Sequence, residues 1–281
     1  MLGFINVYKP SGITSNAVIS RIKRRVKPNK VGHMGTLDPM AEGVLPIAIG
    51  NATRMFDYFL NKTKTYVATF EFGYETDTLD ATGNIERSTD AIPTCDMVKE
   101  ALSSFLGKNN QLPPKYSAKN VNGRRAYDMA REGIEFELNP KEIEIFEFEY
   151  ISHENNSYVF KITCSSGTYI RSICRDLGYK LGSLATMTKL IRTACGKFNI
   201  ENAVSLEDLD SIDDLTTVLL AIDEVFDYVS FETNVDESAR LKNGMTINCS
   251  LQDGLYIVFH NFSPLGIGDA KNNSIKLKTH F

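Results

Sequence analysis

The chain has 281 residues, of which 42% are hydrophobic, so it can bury a substantial core. It contains no apolar run of 18 residues, and the sequence therefore predicts no membrane-spanning helix. Its formal net charge of −4 is unevenly distributed, since residues 201–237 carry 12 acidic and no basic residues, whereas residues 1–200 have a net charge of +5. The overall charge therefore does not exclude a protein that binds nucleic acid through local basic patches.

The N-terminal segment predicts a strand followed by a basic helix. The strand, Gly3–Tyr8, ends at the turn signal Lys9-Pro10-Ser11-Gly12, after which Thr14 or Ser15 can cap a helix. The apolar residues of this helix have helical spacing and are Val18, Ile19, Ile22 and Val26. The basic residues on its other faces and just beyond are Arg21, Lys23, Arg24, Arg25, Lys27 and Lys30. Two interpretations stay open, a solvated amphipathic helix and a face that contacts phosphate.

The middle of the chain contains strand, helix and loop signals. Lys64–Phe72 alternates apolar and polar residues as a half-buried strand does, and Met97–Leu106 has helical spacing. Lys108–Arg131 carries six basic residues against one acid, together with a Pro-Pro break and two tyrosines. This composition is typical of an exposed loop and short helix that face RNA, although a soluble surface hairpin fits it too.

The remainder of the chain predicts a hairpin, a helix and a small β domain. Glu142–Ile151 and Ser157–Cys164 alternate like paired strands, and a helix begins at about Thr168. Leu215–Ile222 has some helical character within the acidic segment. From about residue 229, short apolar runs alternate with turn signals, which indicates a separate β domain.

The segment from Gly32 to Pro46 contains the first candidate for chemistry, Asp38. Three glycines and two prolines in these fifteen residues argue for a rigid, irregular loop, and functional residues are often found on such loops. Asp38 is followed by Pro39, which fixes its own φ and has no N–H to donate. An isolated Asp-Pro pair is more often only a turn, so the loop by itself leaves the role of Asp38 open.

Arg171 is the second candidate, because it falls in the first turn of a predicted helix, where the helix dipole disfavours a cation. It also lies off the apolar face of that helix. Arg171 is either an exposed residue bound to water or phosphate, or a partner that pairs with Asp38 and orients its carboxylate.

The sequence contains no motif for several other kinds of enzyme chemistry. The patterns of dinucleotide and nucleoside-triphosphate loops, zinc proteases and serine hydrolases are missing. The five cysteines are odd in number and lack a CxxC pair, so they are expected to be reduced thiols, and neither a metal nor another cofactor is predicted. A carboxylate mechanism without a cofactor remains. The absence of a secretion-signal pattern makes the cytoplasm the expected location.

A series of ordered motifs extends over nearly the whole chain. The N-terminal motifs are Lys9-Pro10-Ser11-Gly12, Gly32–Pro39 with Ala41 and Gly43, and Leu45-Pro46 to Ala52-Thr53. The central motifs are Lys64-Thr65-Tyr66, Asp77-Thr78-Leu79-Asp80-Ala81-Thr82-Gly83 and Pro113-Pro114-Lys115-Tyr116-Ser117-Ala118. The last motifs are Ser166-Gly167-Thr168-Tyr169-Ile170-Arg171 and Leu190-Ile191-Arg192 with Gly196 and Phe198. In this order and spacing the motifs resemble those of the TruB-type tRNA pseudouridine-55 synthases.

The resemblance implies an α+β fold with a pseudouridine-synthase core. That core is a mixed, largely antiparallel sheet flanked by helices, and a small C-terminal PUA-like β domain follows it. The implied domains are a catalytic domain, 1–228, which includes an RNA-binding insertion at about 108–140, and a short C-terminal domain, 229–281.

The resemblance also implies roles for individual residues. Asp38 resembles the catalytic aspartate, and Tyr66 resembles the tyrosine that stacks on the target base and assists proton transfer. Arg171 resembles the arginine that forms a salt bridge with that aspartate, and Leu190 resembles the leucine that packs beside the base. The remaining implied substrate-binding residues are the loop histidine that enters the opened RNA stack, His33, and three that line or support the pocket, Lys9, Pro10 and Tyr169.

The implied activity is the isomerisation of uridine 55 in the T-loop of tRNA to pseudouridine. The resemblance implies a stand-alone monomer that acts on the T-stem-loop of tRNA without a guide RNA, a membrane or a cofactor. The target base is flipped out, and the carboxylate of Asp38 then forms an ester at C1′ or removes a C2′ proton to give a glycal. Two other functions remain alternatives, a non-catalytic tRNA-binding or folding module and a guide-dependent relative within an RNA–protein particle.

Overall fold

The computed structural model describes residues 1–117, 119–121 and 123–281. Ala118, the last residue of one sequence motif, therefore lies outside the described residues, as does residue 122 of the segment predicted to face RNA. The described residues form two units, the first made of 1–38, 44–59 and 197–281 and the second of 39–43 and 60–196. Within the described ranges, no helix is long and apolar enough to cross a membrane.

The chain folds into strands and mostly short helices. The strands among the described residues are β1 (Gly3–Lys9), β2 (Val31–His33), β3 (Glu42–Ile49), β4 (Lys64–Phe72), β5 (Tyr74–Thr76), β6 (Ile85–Ser88), β7 (Gly107–Gln111), β8 (Asn120–Val121), β9 (Arg124–Arg125), β10 (Lys141–Glu154), β11 (Ser157–Cys164), β12 (Ala185–Cys195), β13 (Phe198–Asn199), β14 (Val229–Glu232), β15 (Ile247–Asn248), β16 (Gly254–His260), β17 (Ser263–Lys271) and β18 (Ser274–His280). The α-helices are α1 (Ser15–Arg25), α2 (Phe56–Phe59), α3 (Cys95–Leu102), α4 (Ala126–Arg131), α5 (Ile170–Lys180), α6 (Leu206–Ser211), α7 (Ile222–Val225) and α8 (Val235–Lys242).

Helix α1 of the first unit packs against the acidic segment that follows β13. The side chain of Thr14 caps the helix by accepting from the backbone N–H of Ala17. Three of the four predicted apolar residues are buried, and the fourth, Ile19, is half-buried. On the opposite side, Arg21 forms an ion pair with Asp210, while the guanidinium of Arg25 donates to the carbonyl oxygens of Leu209 and Ile212. Two of the basic residues that could have contacted phosphate therefore bind the acidic segment instead.

An aromatic cluster forms the core of the first unit. Phe4, Phe59 and Phe226 contact one another with ring centroids 5.2 to 6.0 Å apart, and Phe198 packs 5.8 Å from Phe59. Each such ring pair adds to the free energy gained from burying the apolar surface. The cluster joins residues from both ends of the chain, so β1 and the segment after β13 belong to one core.

A separate sheet forms at the C-terminal end of the first unit. Its strand order is β14-β16-β17-β18-β15, with β14 parallel to β16 and the other neighbours antiparallel. One face of the sheet buries a cluster that contains Leu241 of α8, Val258, Ile275 and Leu277. The predicted change to short strands at about residue 229 is confirmed at Val229, although helix α8 within this region was not predicted.

The second unit is built on a sheet with the strand order β12-β4-β11-β10-β7, in which every neighbouring pair is antiparallel. Glu42 and Gly43, the first residues of β3, pair in parallel with Ile191 and Arg192 of β12, which makes the arrangement mixed. In β4 the residues Lys64, Tyr66, Ala68, Phe70 and Phe72 are buried and those between them are half-buried, as the alternation predicts.

Several predicted boundaries are wrong by a few residues. The helix expected from about Thr168 begins at Ile170, and the helix expected over 97–106 is α3 followed by a 3₁₀ turn, Ser103–Phe105. The helical character expected over 215–222 is a 3₁₀ turn, Leu215–Val218, separated from α7. The start of the predicted RNA-facing loop is instead the strand β7, because its backbone pairs with β10 from Gly107 to Gln111.

Gly43 lies where the backbone of β3 approaches that of β12 closely, and we expect this position to tolerate no side chain. Its φ is +104°, and a Cβ at this position would lie 2.3 Å from the carbonyl oxygen of Arg192. We expect Gly43→Ala to lower the free energy of unfolding by at least about 3 kcal/mol, because the cost of the strained φ and the cost of the collision with the backbone of β12 are added together. Urea denaturation measures this loss. The control is Gly107→Ala, whose φ of +79° is also unfavourable but whose Cβ would meet nothing within 4 Å; an equal loss in both variants would contradict the collision.

Candidate active site

The loop that carries Asp38 is fixed by the first unit. The Ser15 hydroxyl donates to the carbonyl oxygen of Leu37 at 3.0 Å and accepts from its N–H at 2.9 Å, and the N–H of Met34 donates to the carbonyl oxygen of Pro46 at 2.8 Å. Met34 and Leu37 are each only 3% exposed, so they anchor the loop in the core. Asp38 itself is half-buried and is the last residue of its segment in the first unit. The irregular loop predicted over 32–46 is confirmed only between β2 and β3, because residues 32–33 and 42–46 belong to these strands, which pair with each other and, through β3, with β12.

Three other predicted site residues also belong to the first unit. Lys9 is fully buried, and its ammonium group donates to the carbonyl oxygens of Pro10 at 2.9 Å and Ile13 at 2.8 Å. Lys9 therefore braces the turn that follows β1, with Pro10 inside that turn. His33 is the last residue of β2, and its Nε2 lies 3.5 Å from the hydroxyl of Thr36 in the Asp38 loop.

Tyr66 lies in the centre of a row of side chains across the second unit's sheet. Its cross-strand neighbours are Arg192 on β12 and Ile162 on β11. Paired residues on neighbouring strands point to the same face, so the phenol ring lies between the guanidinium and the apolar side chain. Leu190 is paired with Ala68, one step further along the same buried face. The sheet therefore brings Tyr66, Leu190 and Arg192 together.

The Tyr66 hydroxyl is kept neutral by its surroundings. Burial raises the pKa of Tyr66 well above its usual value, and the hydrogen bond and positive charge of Arg192 offset only part of this rise. A neutral phenol can stack on a base and can donate or accept a hydrogen bond, but it does not act as a phenolate at pH 7.

Arg171 is buried in the first turn of α5 with its donors engaged. Its guanidinium lies 3.3 Å from the carboxylate of Asp80 and donates to the carbonyl oxygens of Thr78 and Tyr116, each at 3.0 Å. The residue is 5% exposed, so the interpretation of Arg171 as an exposed arginine is wrong. Asp80 supplies a carboxylate that offsets the unfavourable position of a cation near a helix N-terminus. The pairing of Arg171 with Asp38 stays a prediction.

Asp80 is itself held by the turn between β5 and β6. One carboxylate oxygen accepts from the Thr78 hydroxyl at 2.9 Å and from the N–H and hydroxyl of Thr82 at 3.0 and 2.5 Å. The other oxygen faces Arg171. A side chain at Gly83 would collide with Asp77 and Thr78, so the turn needs glycine there. The Asp77–Gly83 motif therefore serves to present one carboxylate.

Tyr169 caps α5 through its backbone rather than its side chain. The side-chain amide of Gln111 accepts from the N–H of Tyr169 at 2.8 Å and donates to its carbonyl oxygen at 3.0 Å. The Ser172 hydroxyl then donates to the carbonyl oxygen of Leu112 at 2.8 Å. The start of α5 is thus tied to the end of β7, which fixes both Tyr169 and Arg171.

The predicted site residues divide between the two units. Those of the second unit are Tyr66, Tyr169, Arg171 and Leu190, and those of the first are Lys9, Pro10, His33 and Asp38. Sequence reasoning assigned no role to Lys64, Asp80 or Arg192, although all three lie in motifs that carry the resemblance. A usable signal existed for Lys64, because in the alternation of β4 a lysine shares the inward side with Tyr66.

Comparisons with known proteins match most of the chain. A profile described as the TruB family pseudouridylate synthase N-terminal domain matches residues 23–170, and one described as the tRNA pseudouridylate synthase B C-terminal domain matches residues 171–227. The chain is 43% identical over 249 residues to tRNA pseudouridine synthase B of Clostridium tetani, covering 88% of this chain and 86% of the relative. It is 38% identical over 283 residues to the protein of that name from Aquifex aeolicus, covering 99% of each.

The fold is shared with solved structures of lower identity. A chain in the crystal structure of a Cbf5-Nop10-Gar1 complex matches with a TM-score of 0.73 at 24% identity, covering 99% of this chain and 84% of that chain. The predicted α+β class is confirmed, with its mixed, largely antiparallel sheet and PUA-like C-terminal sheet. Fold and profile matches together define a pseudouridine synthase, an isomerase. The chain belongs to the TruB family of these enzymes.

Proposed function

We propose that this protein is a stand-alone tRNA pseudouridine synthase that isomerises uridine 55 in the T-loop, with Asp38 as its catalytic residue. The observation that carries the proposal is the match to tRNA pseudouridine synthase B of Aquifex aeolicus, which covers 99% of both chains. Both units, and so all eight predicted site residues, fall within that shared sequence. The substrate is the T-stem-loop of tRNA, and the protein acts as a monomer without a guide RNA or a cofactor.

The row formed by Tyr66, Leu190 and Arg192 supports binding of an extruded base. A uridine stacked in a folded loop must be flipped out at a cost of a few kcal/mol before an enzyme can reach its glycosidic bond. Stacking on the aromatic ring of Tyr66 returns about 1–3 kcal/mol. Leu190 supplies apolar contact on the same buried face. This face of the sheet is therefore suited to hold uracil away from the RNA stack.

Asp38 supplies the chemistry in this proposal. The reaction breaks the N1–C1′ bond, turns the uracil and forms a C5–C1′ bond, while C5 loses a proton and N1 gains one. An aspartate with an ordinary pKa of about 3.9 is ionised at pH 7 and needs no base to activate it. Its carboxylate attacks C1′ to form an ester or takes the C2′ proton to form a glycal, and both routes return the carboxylate unchanged.

The proposed domains follow from the resemblance. Residues 1–228 would form the catalytic domain, with an RNA-binding insertion at about 108–140, and residues 229–281 the PUA-like domain. The segment from β8 to α4 supports the insertion's role, because it presents basic side chains beside an exposed aromatic ring. The guanidinium of Arg131 lies 4.5 Å from the ring centre of Tyr127, and Arg125 is exposed.

Tritium release tests the proposed function. Transcripts of tRNA and of the isolated T-stem-loop, labelled at C5 of uridine, should release one tritium per molecule when incubated with this protein alone. Replacing the target uridine by cytidine should abolish the release. Tight binding without release would identify a non-catalytic binding module instead, and release that required an added guide RNA would identify the guide-dependent alternative.

The basic insertion is expected to bind phosphates. Replacing Arg125 by Ala should weaken binding to tRNA and make the slope of log K against log salt less negative by about 0.7 to 0.9 for each phosphate that the variant no longer neutralises. Fluorescence anisotropy with labelled tRNA measures this slope. Lys99→Ala is the matched control, because Lys99 lies over the ring of Tyr150, outside the insertion. If both variants keep the wild-type slope, the insertion does not bind phosphate.

A further inference from the structure

Three lysines at the C-terminal end of α1 are exposed, although the acidic segment binds arginines of the same helix. They are Lys23 in the last turn, and Lys27 and Lys30 just beyond it. Within the described ranges, none of the three ammonium groups forms an ion pair or a hydrogen bond. These residues, here called the lysine surface, are therefore available to an anionic partner.

The arginines of α1 have a different environment. The hydrogen bond from Arg21 lowers the pKa of Asp210. The charges of Arg25 and Arg24 lower it further. Arg21 and Arg25 are each two residues from Lys23, so a rotation of about 100° per helical residue turns Lys23 about 160° away from both. The acidic segment therefore lies on one flank of the helix and Lys23 on the other.

The stability of the helix accounts for at most one residue of the lysine surface. A cation in the last turn interacts favourably with the helix dipole, and Lys23 has that position. The effect falls off beyond the last turn, so it does not extend to Lys27 or Lys30. Three like charges within eight residues also repel one another. Their clustering is the pattern expected of a surface that binds a polyanion.

Backbone hydrogen bonds hold the lysine surface in place. The side chain and the N–H of Asn29 both donate to the carbonyl oxygen of Val26, at 2.8 and 2.9 Å, and so close the end of α1. The N–H of Gly50 donates to the carbonyl oxygen of Lys30 at 2.8 Å. A phosphate partner therefore meets cations on an ordered backbone, and binding does not have to order the chain first.

The position of the lysine surface relative to Asp38 indicates which phosphates it meets. Ser15 at the start of α1 binds both backbone groups of Leu37, the residue before Asp38. A rise of 1.5 Å per residue places Lys23 about 12 Å along the helix axis from Ser15. A duplex strand carries one phosphate per roughly 3.4 Å of axis, so this distance corresponds to about three or four nucleotides. With the target nucleotide at Asp38, the lysine surface therefore meets the stem of the RNA rather than the phosphate of the flipped nucleotide.

We propose that the lysine surface binds backbone phosphates in the stem of the T-stem-loop, about three or four nucleotides from the target uridine. The inference rests on the proposed function and adds to it, because it assigns RNA binding to residues of the first unit outside the predicted site. Contacts of this kind position the RNA and do not read its sequence.

The test removes the charge from each side of this contact. In the full chain, Lys23→Gln, Lys27→Gln and Lys30→Gln are combined in a triple variant. Lys180→Gln is the matched control, because Lys180 is an exposed lysine in the last turn of α5, which has 11 residues like α1. In the RNA, the phosphates of either stem strand or of the loop are replaced by neutral methylphosphonates. Fluorescence anisotropy measures the affinity of each protein for each T-stem-loop over a range of KCl concentrations.

The triple variant is expected to bind the natural T-stem-loop about tenfold to a hundredfold more weakly than wild type, with a salt slope less negative by about two to three. Lys180→Gln should keep the wild-type slope. The difference between wild type and the triple variant should disappear on RNA with one of the two stem strands neutral and persist on RNA with a neutral loop.

Three results would overturn the proposal. They are an unchanged slope in the triple variant, an equal loss in Lys180→Gln, and a difference from wild type that persists on both stem-substituted RNAs or occurs only with full-length tRNA. Circular dichroism checks that each variant is folded. Tritium release by wild type reports on the proposed function separately, so the failure of one proposal is distinguishable from the failure of the other.

Discussion

Replacing Asp38 by Asn should abolish pseudouridine formation while leaving the affinity for tRNA within a few-fold of wild type. The variant keeps the shape of the side chain but loses the negative charge that attacks C1′ or accepts the C2′ proton. Loss of a general base lowers turnover by about 10²- to 10⁴-fold, and loss of a nucleophile lowers it by up to about 10⁶-fold. Single-turnover tritium release measures the rate, and anisotropy with labelled T-stem-loop measures binding.

Two controls make the result specific to Asp38. Asn residues can deamidate to Asp, so Asp38→Ala should be measured beside Asp38→Asn and give an equal loss. Asp57→Asn carries the same chemical change on α2, where Asp57 is exposed, and should keep full activity. Turnover near the wild-type rate in Asp38→Ala would remove Asp38 from the mechanism, and an equal loss in Asp57→Asn would point to a general effect on the fold.

Elements with a strong local pattern were predicted well from the sequence. Strand β4 was predicted with its observed bounds, because one face is buried and the other is half-buried along its whole length. The N-terminal helix was also found, since Thr14 is an N-cap and Val18 and Ile22 lie on one buried face. In each of these cases the residues that decide the structure lie next to one another in the chain.

Elements that depend on distant partners were not predicted. Residues 107–111 are polar and without alternation, and they form an edge strand only because Lys141–Ile145 pairs with their backbone. The start of α5 is fixed two residues later than expected because Gln111 binds both backbone groups of Tyr169. A hydrogen bond between residues 58 positions apart leaves no trace in the local pattern.

The sequence predicted which residues belong to the candidate site better than it predicted their contacts. The resemblance identified residues by motif, and so it placed Tyr66 and Leu190 in a site without reference to their neighbours. The burial of Arg171 could not be read in this way, because its acceptors are the carbonyl oxygens of Thr78 and Tyr116. Backbone acceptors carry no residue identity, so no sequence pattern reports them.

The ion pair of Arg171 with Asp80 is expected to matter for stability as well as for activity. Arg171→Met would leave the carboxylate of Asp80, which is 4% exposed, buried without its cation. Removing one partner of a buried pair typically costs about 3–5 kcal/mol. Urea denaturation should show a loss of this size. Tritium release should fall as well, measured at a temperature where the variant stays folded, because Arg171 also fixes the backbone at Thr78 and Tyr116.

A double-mutant cycle separates the ion pair from the other hydrogen bonds of Arg171. Asp80→Asn alone removes the negative charge but keeps hydrogen-bonding atoms for Thr78 and Thr82, so we expect a smaller loss than in Arg171→Met. In the double variant neither member of this ion pair is left buried without the other, and its loss of stability should therefore be smaller than the sum of the two single losses by about 1–3 kcal/mol. Arg171→Lys keeps the charge but cannot reach three acceptors with one ammonium group, and it should recover only part of the stability. Strict additivity in the cycle would mean that Arg171 and Asp80 are independent, and that the backbone hydrogen bonds alone hold the start of α5.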